Sequence, residues 1–353
     1  MHVTGMDRER PLYVPEGVDF LQGDVTHPAT LAHALIGKDA VIACLPYHLI
    51  LPVAEAAHLA GVHYFDPTED IATTEAIRAL AQSAAGVMIP QNGLAPGLIG
   101  ILGAHLAQQF DPGTLRHIKM RVGALPQHPI GQLGYAGNWS LVGLVHEYIA
   151  ACDAIAHGQR QKVPALDDPE VLRIDGVEYE AFTTSGGLGT MTETFAGQVE
   201  TLNYKTIRYP GHLMSMRLLL QELRFKDNPE ALVQCLANAL PPDDQDRVLI
   251  HVSVQGAYKG RLRTKELVAD YKPIPIHDQY HTAISWTTAA SITAVVELVS
   301  NGTLPQHGFV KQEEIPLHAF LGTPTGTLFV DHHPALGALR ARSHRNGHHD
   351  TVS

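Results

Sequence analysis

Residues 40–66 read "AVIACLPYHLILPVAEAAHLAGVHYFD", and they decide the fold. A β-rich apolar run, "AVIACL", passes through a short loop into an alanine-rich stretch and returns as a second β-rich run, "VHYF". Strand, crossover helix and strand form the unit of a parallel sheet. Working outward, "VTGM" and "VDFLQ" come before this unit and "VMI" comes after it. Between them, "THPATLAHALIG" offers Thr26 as a cap, Pro28 in the first turn and Gly37 as a stop, while "TEDIATTEAIRALAQSAAG" carries acids early and Gly86 at its end. The pattern implies an α/β protein whose residues 1–93 form a Rossmann-like, doubly wound parallel sheet.

The start, "MHVTGMDRER", reads as the second strand of such a sheet. In the usual order the first strand lies between the second and the fourth, and its Gly-x-Gly-x-x-Gly turn brings backbone N–H groups to a pyrophosphate. Neither is present. The runs "VTGM" and "AVIACL" are therefore expected to flank a gap, with unpaired backbone groups costing about 1 to 3 kcal/mol each if buried. Three repairs are open: the strands close up, another segment fills the slot, or the reading frame starts upstream.

After "QNGLAPGLIG" the character changes, and residues 94–330 read as a second, α+β substrate domain whose last helices return to the first. "LRHIKMRVGALP" reads as a strand, "NWSLVGLVHEYIAACDAIAHG" as a helix of about six turns, and "VLRIDGVEYEAFTTSGG" as a hairpin around Asp175 and Gly176. The polar end, residues 331–353, has too few apolar residues to pack and is expected to be disordered. At 353 residues, two domains are the default.

A net charge of −11 argues against a nucleic-acid partner. Isolated Cys44, Cys152 and Cys235 suit a reducing compartment. With neither a signal peptide nor an apolar run of membrane length, the expectation is a cytoplasmic protein without a membrane partner. "HDQYH" spaces His277 and His281 as helical zinc ligands are spaced, yet two prolines precede it and no third ligand is in sight, so no metal is expected.

Several positions could carry chemistry. Asp7 ends the first visible strand, where an acid binds an adenosine ribose, and neighbouring Arg8 suits a 2′-phosphate instead, so NAD and NADP both stay open. Leu45, Pro46, Tyr47 and His48 follow the most apolar strand at its ligand-binding edge. Tyr47 could orient an amine, and His48 could exchange protons or simply begin the next helix. In "NYKTIRYPGHLMSMR", Lys205, Arg208, Tyr209 and His212 gather before a helix. An Arg fork can take a carboxylate while Lys205 or His212 takes a proton from an amine; a basic strand end before a Pro-Gly turn is the other reading.

The blocks "LPYHLILPVAEAAHLAGVHYFD", "NGLAPGLIGIL", "GALPQHPIG" followed by "NWS", and "EAFTTSGG" with "NYKTIRYPGHLMSMRLLLQELRF" resemble the saccharopine dehydrogenase family over about residues 2 to 330. The resemblance implies a small-molecule dehydrogenase, a homodimer, that uses NAD or NADP to oxidise an amine-bearing carbon. By position it implies Asp7 at the ribose, Asp24 and Val25 beside the adenine, and Leu45 and Pro46 on the nicotinamide side. Tyr47, Trp139 and Arg208 are implied in the substrate pocket. Ala95 and Val122 stand where saccharopine reductases carry an acid and a cysteine, whereas the lysine 6-dehydrogenase branch looks similar around "APG" and "KTIRYPGH". A non-catalytic homologue, serving as a binding or regulatory subunit, is the alternative that the missing glycine turn raises.

Overall fold

In the computed structural model, which describes residues 1–334 together with 336 and 337, the first runs do form parallel strands. β1 (Val3–Asp7) pairs with β2 (Val18–Gln22), Val3 opposite Val18 and Asp7 opposite Gln22. The chain then crosses through α1 (Pro28–Ala34) to β3 (Ala40–Ile42), through α2 (Ile50–Ala60) to β4 (His63–Phe65), and through α3 (Ile71–Ala81) to β5 (Val87–Ile89). α2 buries Ile50, Val53, Ala54 and Ala57, the i, i+3, i+4, i+7 stripe of a helix covering a sheet, and ends at left-handed Gly61.

β1 and β2 stand apart as a two-stranded sheet, and β3, β4 and β5 belong to another. The slot expected from the sequence is present: the strands have not closed up, and no described segment pairs with the free edge of β1 or of β3. Across the break the Lys38 ammonium donates to Thr4 Oγ1 at 2.7 Å, and Met6 packs on the core that holds Tyr64 and Met88.

The second half starts with α4 (Leu98–Ala107), β6 (His117–Pro126) and α5 (Leu141–Ile149). Here the structure corrects the six-turn helix. Beyond α5 the chain becomes β7 (Cys152–Ala156), turns through His157 and Gly158, and returns as β8 (Gln159–Val163). Both turn residues are left-handed, φ 52° and 78°, as a two-residue hairpin turn requires. The alanines of "AACDAIA" favour a helix in isolation, but pairing with a distant strand overrides that preference.

That strand follows β9 (Glu170–Ile174), β10 (Val177–Thr183) and the short α6 (Met191–Thr194): it is β11 (Thr201–Arg208), and Thr201 lies opposite Ala156. The hairpin at Asp175 and Gly176 is where the sequence put it, with φ of 50° and 76°. α7 (His212–Arg217), α8 (Pro229–Ala239), β12 (Asp246–Tyr258) and β13 (Arg261–Tyr271) complete a mixed sheet ordered β13-β12-β6-β11-β10-β9, with β7 and β8 beside β11. "HDQYH" falls in a hairpin of β14 (Ile274–Ile276) and β15 (Gln279–His281), so its histidines are not on a helix. The buried helix α9 (Ala283–Ser300) packs against β12.

The chain then returns to the first half. β16 (Gly308–Phe309) extends the sheet of β5 in parallel, and α10 (Leu317–Phe320) and α11 (Thr327–Asp331) follow. Leu336 is fully buried in the main core, so packing continues past 331, where the disordered tail was expected to begin; residues 338–353 lie outside the described residues. Two contacts lock the return. Arg78 on α3 makes a bidentate pair with Glu193 on α6, at 2.9 and 3.0 Å, and covers the Phe309 ring at 5.0 Å. Gln312, 1% exposed, accepts from Gly97 N at 2.6 Å and donates to Leu188 O at 2.8 Å.

Replacing Gln312 with Leu keeps the volume and strands one buried N–H and one buried carbonyl, each costing about 1 to 3 kcal/mol. Urea unfolding of Gln312→Leu is expected to show a loss of about 2 to 4 kcal/mol; a variant as stable as the parent contradicts the lock.

Candidate active site

Successive residues of a strand point to opposite faces. On β11 this places Tyr204, Thr206 and Arg208 on one face, beside Val122 and Ala124 of β6, and Lys205 on the other. The first face borders a cavity of about 520 Å³. Its other walls are the start of α5, the start of α9, and the loops after β3 and β4, so it lies between the two halves of the chain.

Arg208 is 2% exposed. Its Nε donates to the Tyr148 hydroxyl at 2.9 Å and its Nη1 to the Ile207 carbonyl at 2.8 Å, while its guanidinium lies 4.8 Å from the Tyr135 ring centre. Among the described residues it has no carboxylate partner, and Nη2 donates to nothing. A buried cation in this state is a receptor for an anion, and its fork suits a carboxylate.

The hydrogen bonds behind it run in one direction. Arg208 donates to Tyr148, the Tyr148 hydroxyl donates to His212 Nε2 at 3.0 Å, and His212 Nδ1 donates to the Leu133 carbonyl at 2.8 Å. Burial first, then the nearby Arg208 charge, push His212 down to about 3 against the pull of that carbonyl, which keeps the ring neutral as the relay needs.

The opposite wall is acidic and aromatic. Trp139 donates its indole N–H to the Tyr135 hydroxyl. A methyl on Gly143 would come 2.9 Å from Trp139 Cζ3 and 3.3 Å from Glu69 Oε1, so this glycine is the notch into which both side chains fit. Glu147 follows Gly143 by one helical turn and lines the same cavity, its carboxyl without a hydrogen bond or ion pair among the described residues. Burial pushes it well above the ordinary carboxylate range, with Glu69 acting the same way and Arg208 opposing. Burial likewise raises Glu69.

Of the positions singled out in the sequence, Leu45, Pro46, Tyr47, Trp139 and Arg208 meet at this cavity. Tyr47 stacks on His146, ring centres 4.7 Å apart. His48 is exposed at the helical turn that leads into α2. Lys205 and His212 are corrections. Lys205 is enclosed on the far face, its ammonium held by Asp168 Oδ2 at 2.8 Å and Glu170 Oε2 at 3.3 Å; its distance of three from Arg208 means opposite faces on a strand. His212 has both ring nitrogens engaged, so it positions Tyr148 and Arg208 and cannot take a substrate proton.

Asp7 ends β1 and Arg8 follows it, both exposed, and the Asp7 carboxylate accepts from Glu9 N at 3.0 Å. Asp24 spends Oδ1 on the N–H and hydroxyl of Thr26, both at 2.8 Å, which holds it below the usual carboxylate range; Thr26 is thereby not the cap of α1, a position taken by His27. Val25 packs against the core of the first half. Leu45 and Pro46 line the cavity, whereas Asp7 and Arg8 are not among its lining residues. The pyrophosphate cradle is not found among the described residues.

Glu69, Tyr135, Glu147 and Tyr148 were not picked out by sequence reading. A signal existed in the glycine-rich "SGGLGT" that follows β10: a side chain on Gly186 would strike Glu69, and one on Gly187 would strike the Tyr204 ring. These glycines make room for two walls of the cavity.

Residues 6–89 match the saccharopine dehydrogenase NADP binding domain, and residues 93–324 match the saccharopine dehydrogenase C-terminal domain. In fold, the chain is similar to the saccharopine dehydrogenase (L-Glu forming) of Saccharomyces cerevisiae, with a TM-score of 0.68 and 16% identity over 89% of this chain and 87% of that one. It is also similar to the homospermidine synthase of Legionella pneumophila, solved in complex with NAD, with a TM-score of 0.58 and 14% identity over 93% and 83% of the two chains.

The state of His212 can be read from stability. Above pH 6.5 the ring is neutral folded or unfolded; as the pH falls from 6.5 toward 3 only the unfolded chain takes the proton, and stability is lost. Asp66, raised to about 7 by burial, acts in the opposite sense as the pH falls from 7 toward 3.8, so the parent must be compared with a variant. Between pH 6 and pH 4, the stability of His212→Gln relative to the parent is expected to rise by about 2 kcal/mol. An unchanged difference contradicts a neutral, enclosed ring.

Proposed function

The chain belongs to the saccharopine dehydrogenase family of NAD(P)-binding oxidoreductases, and from that premise we propose that it oxidises, or forms by reduction, a carbon–nitrogen bond of an amino acid or amino-acid adduct in lysine metabolism. The observation that carries this reading is the buried, carboxylate-free guanidinium of Arg208 at a cavity bordered by Leu45 and Pro46. A nicotinamide coenzyme, when bound, supplies the hydride acceptor or donor. Asp7 or Arg8 would hold its ribose end, with Asp24 and Val25 beside the adenine, and Leu45 and Pro46 its nicotinamide end.

The rest of the work belongs to the chain's own side chains. Arg208, steadied through Tyr148, takes the substrate carboxylate on its free Nη2. Trp139 and Tyr135 exclude water from that contact, which strengthens it. Tyr47 offers a phenol to the substrate amine from the edge nearest Pro46. Ala95 and Val122 line the cavity and exchange no protons, so the proton chemistry lies with other walls. Both L-lysine and saccharopine present the carboxylate and amine that this arrangement needs.

The split between the β1–β2 pair and the larger sheet favours a second reading, a homologue that binds an amino acid and performs no hydride transfer. Titration of the chain with NADH and NADPH by nicotinamide fluorescence separates the two, since only the dehydrogenase needs the coenzyme.

A screen of L-lysine, saccharopine and related amines by nicotinamide absorbance is expected to reveal turnover. In Arg208→Ala the Michaelis constant for the amino acid is expected to rise by the equivalent of about 2 to 5 kcal/mol, with coenzyme affinity unchanged. An unaltered Michaelis constant removes Arg208 from the carboxylate site.

A further inference from the structure

Arg208 accounts for one charge of the substrate, but the cavity holds two further ionisable groups to which no task has been given. Glu69 comes from the loop between β4 and α3, on the nucleotide side; Glu147 comes from α5 in the other half. Both line the same cavity and repel one another electrically, and Glu69 Oε1 lies 3.3 Å from where a methyl on Gly143, one helical turn before Glu147, would sit. Neither carboxyl has a partner outside its own residue among the described residues, and a hydrogen-bond donor entering between them is the missing element.

We infer that Glu69 and Glu147 form an ammonium subsite, which receives the reacting amine while Arg208 holds the carboxylate of the same molecule. The inference rests on the amine-oxidoreductase reading and adds the group that recognises the amine. The position of Glu69 just past the carboxyl end of β4, near Pro46 and Tyr47, sets this subsite on the side where the hydride is exchanged. The ligand is then a molecule with a carboxylate at one end and a separate amine at the other.

The chemistry balances. The carbon that bears the ammonium gives its hydrogen, with the bonding pair, to an oxidised nicotinamide. The nitrogen releases one proton, which the Glu147 carboxylate takes, and the electron pair left by that proton closes the carbon–nitrogen double bond of an iminium ion. The iminium keeps the positive charge of the ammonium, so the same pair of acids holds both. The charged neighbours of the pair are Arg208 beside Glu147, and His146 and Asp70 beside Glu69. Glu147 is raised by burial, so it holds a proton in the empty cavity more readily than an exposed carboxyl does and gives it up when an ammonium enters.

The test compares hexanoate with 6-aminohexanoate, which share a carboxylate and a chain length and differ by one amine, by isothermal titration of the full chain without coenzyme. The amino compound is expected to bind about tenfold or more tightly, with proton release seen as heat that depends on the buffer. In Glu147→Gln the two probes are expected to bind alike, without proton release, and with hexanoate affinity kept; Glu69→Gln is expected to narrow the gap. Equal binding in the parent, binding of neither probe, or a gap that survives in the double variant overturns the inference. If the expected binding is found and no amine is oxidised with either coenzyme, the subsite stands and the dehydrogenase reading falls.

Discussion

A guanidinium removed from water needs an opposite charge, and among the described residues Arg208 has none within reach of a hydrogen bond. Three aromatic side chains and one histidine are arranged around this need. Tyr148 orients the fork, neutral His212 anchors Tyr148, and Tyr135 lies against the guanidinium while it takes the indole N–H of Trp139. Such a cluster costs free energy to bury, and an anion at the fork would offset that cost. The active cavity is therefore set by what the strand β11 leaves unpaired more than by any single reactive group.

The two halves must be held in register for that cavity to exist, since it takes walls from the loops after β3 and β4 and from α5, β11 and α9. The return of the chain supplies the register. β16 joins the first sheet, Arg78 binds Glu193 across the halves, and Glu313, buried beside Gln312, accepts from Thr190 at 2.8 Å and Thr194 at 2.5 Å. By contrast no strand ladder joins the β1–β2 pair to the larger sheet among the described residues; Lys38 reaches across to Thr4, and Met6 packs on the core that holds Tyr64 and Met88.

Much of this was legible in the sequence, for reasons specific to each element. Strand and helix periods located β1 to β5, and Asp175-Gly176 located a hairpin because only left-handed residues make that turn. α5 was overextended, since "AACDAIA" has helical propensity, which pairing with β8 across the His157-Gly158 turn and with β11 about 45 residues further on overrides. Lys205 was misjudged although the information was present: an odd separation from Arg208 on a strand forbids a shared face. Glu69 and Glu147 carry no mark in their own segments, since they come to one cavity only after folding; Gly186, which makes room for Glu69, lies more than a hundred residues away from it. The family resemblance rested on "EAFTTSGG" and "NYKTIRYPGH", and the structure gives the physical content of both, the glycines making room for Glu69 and Tyr204 and the strand carrying Arg208.

The most direct measurement of the central claim is a crystal structure of the chain with an ω-amino acid bound. The ligand carboxylate is expected within hydrogen-bonding distance of Arg208 Nη2, with the chain of the ligand running toward Leu45 and Pro46. A ligand whose carboxylate lies away from Arg208, or an Arg208 whose charge is met by a protein carboxylate instead, would contradict it.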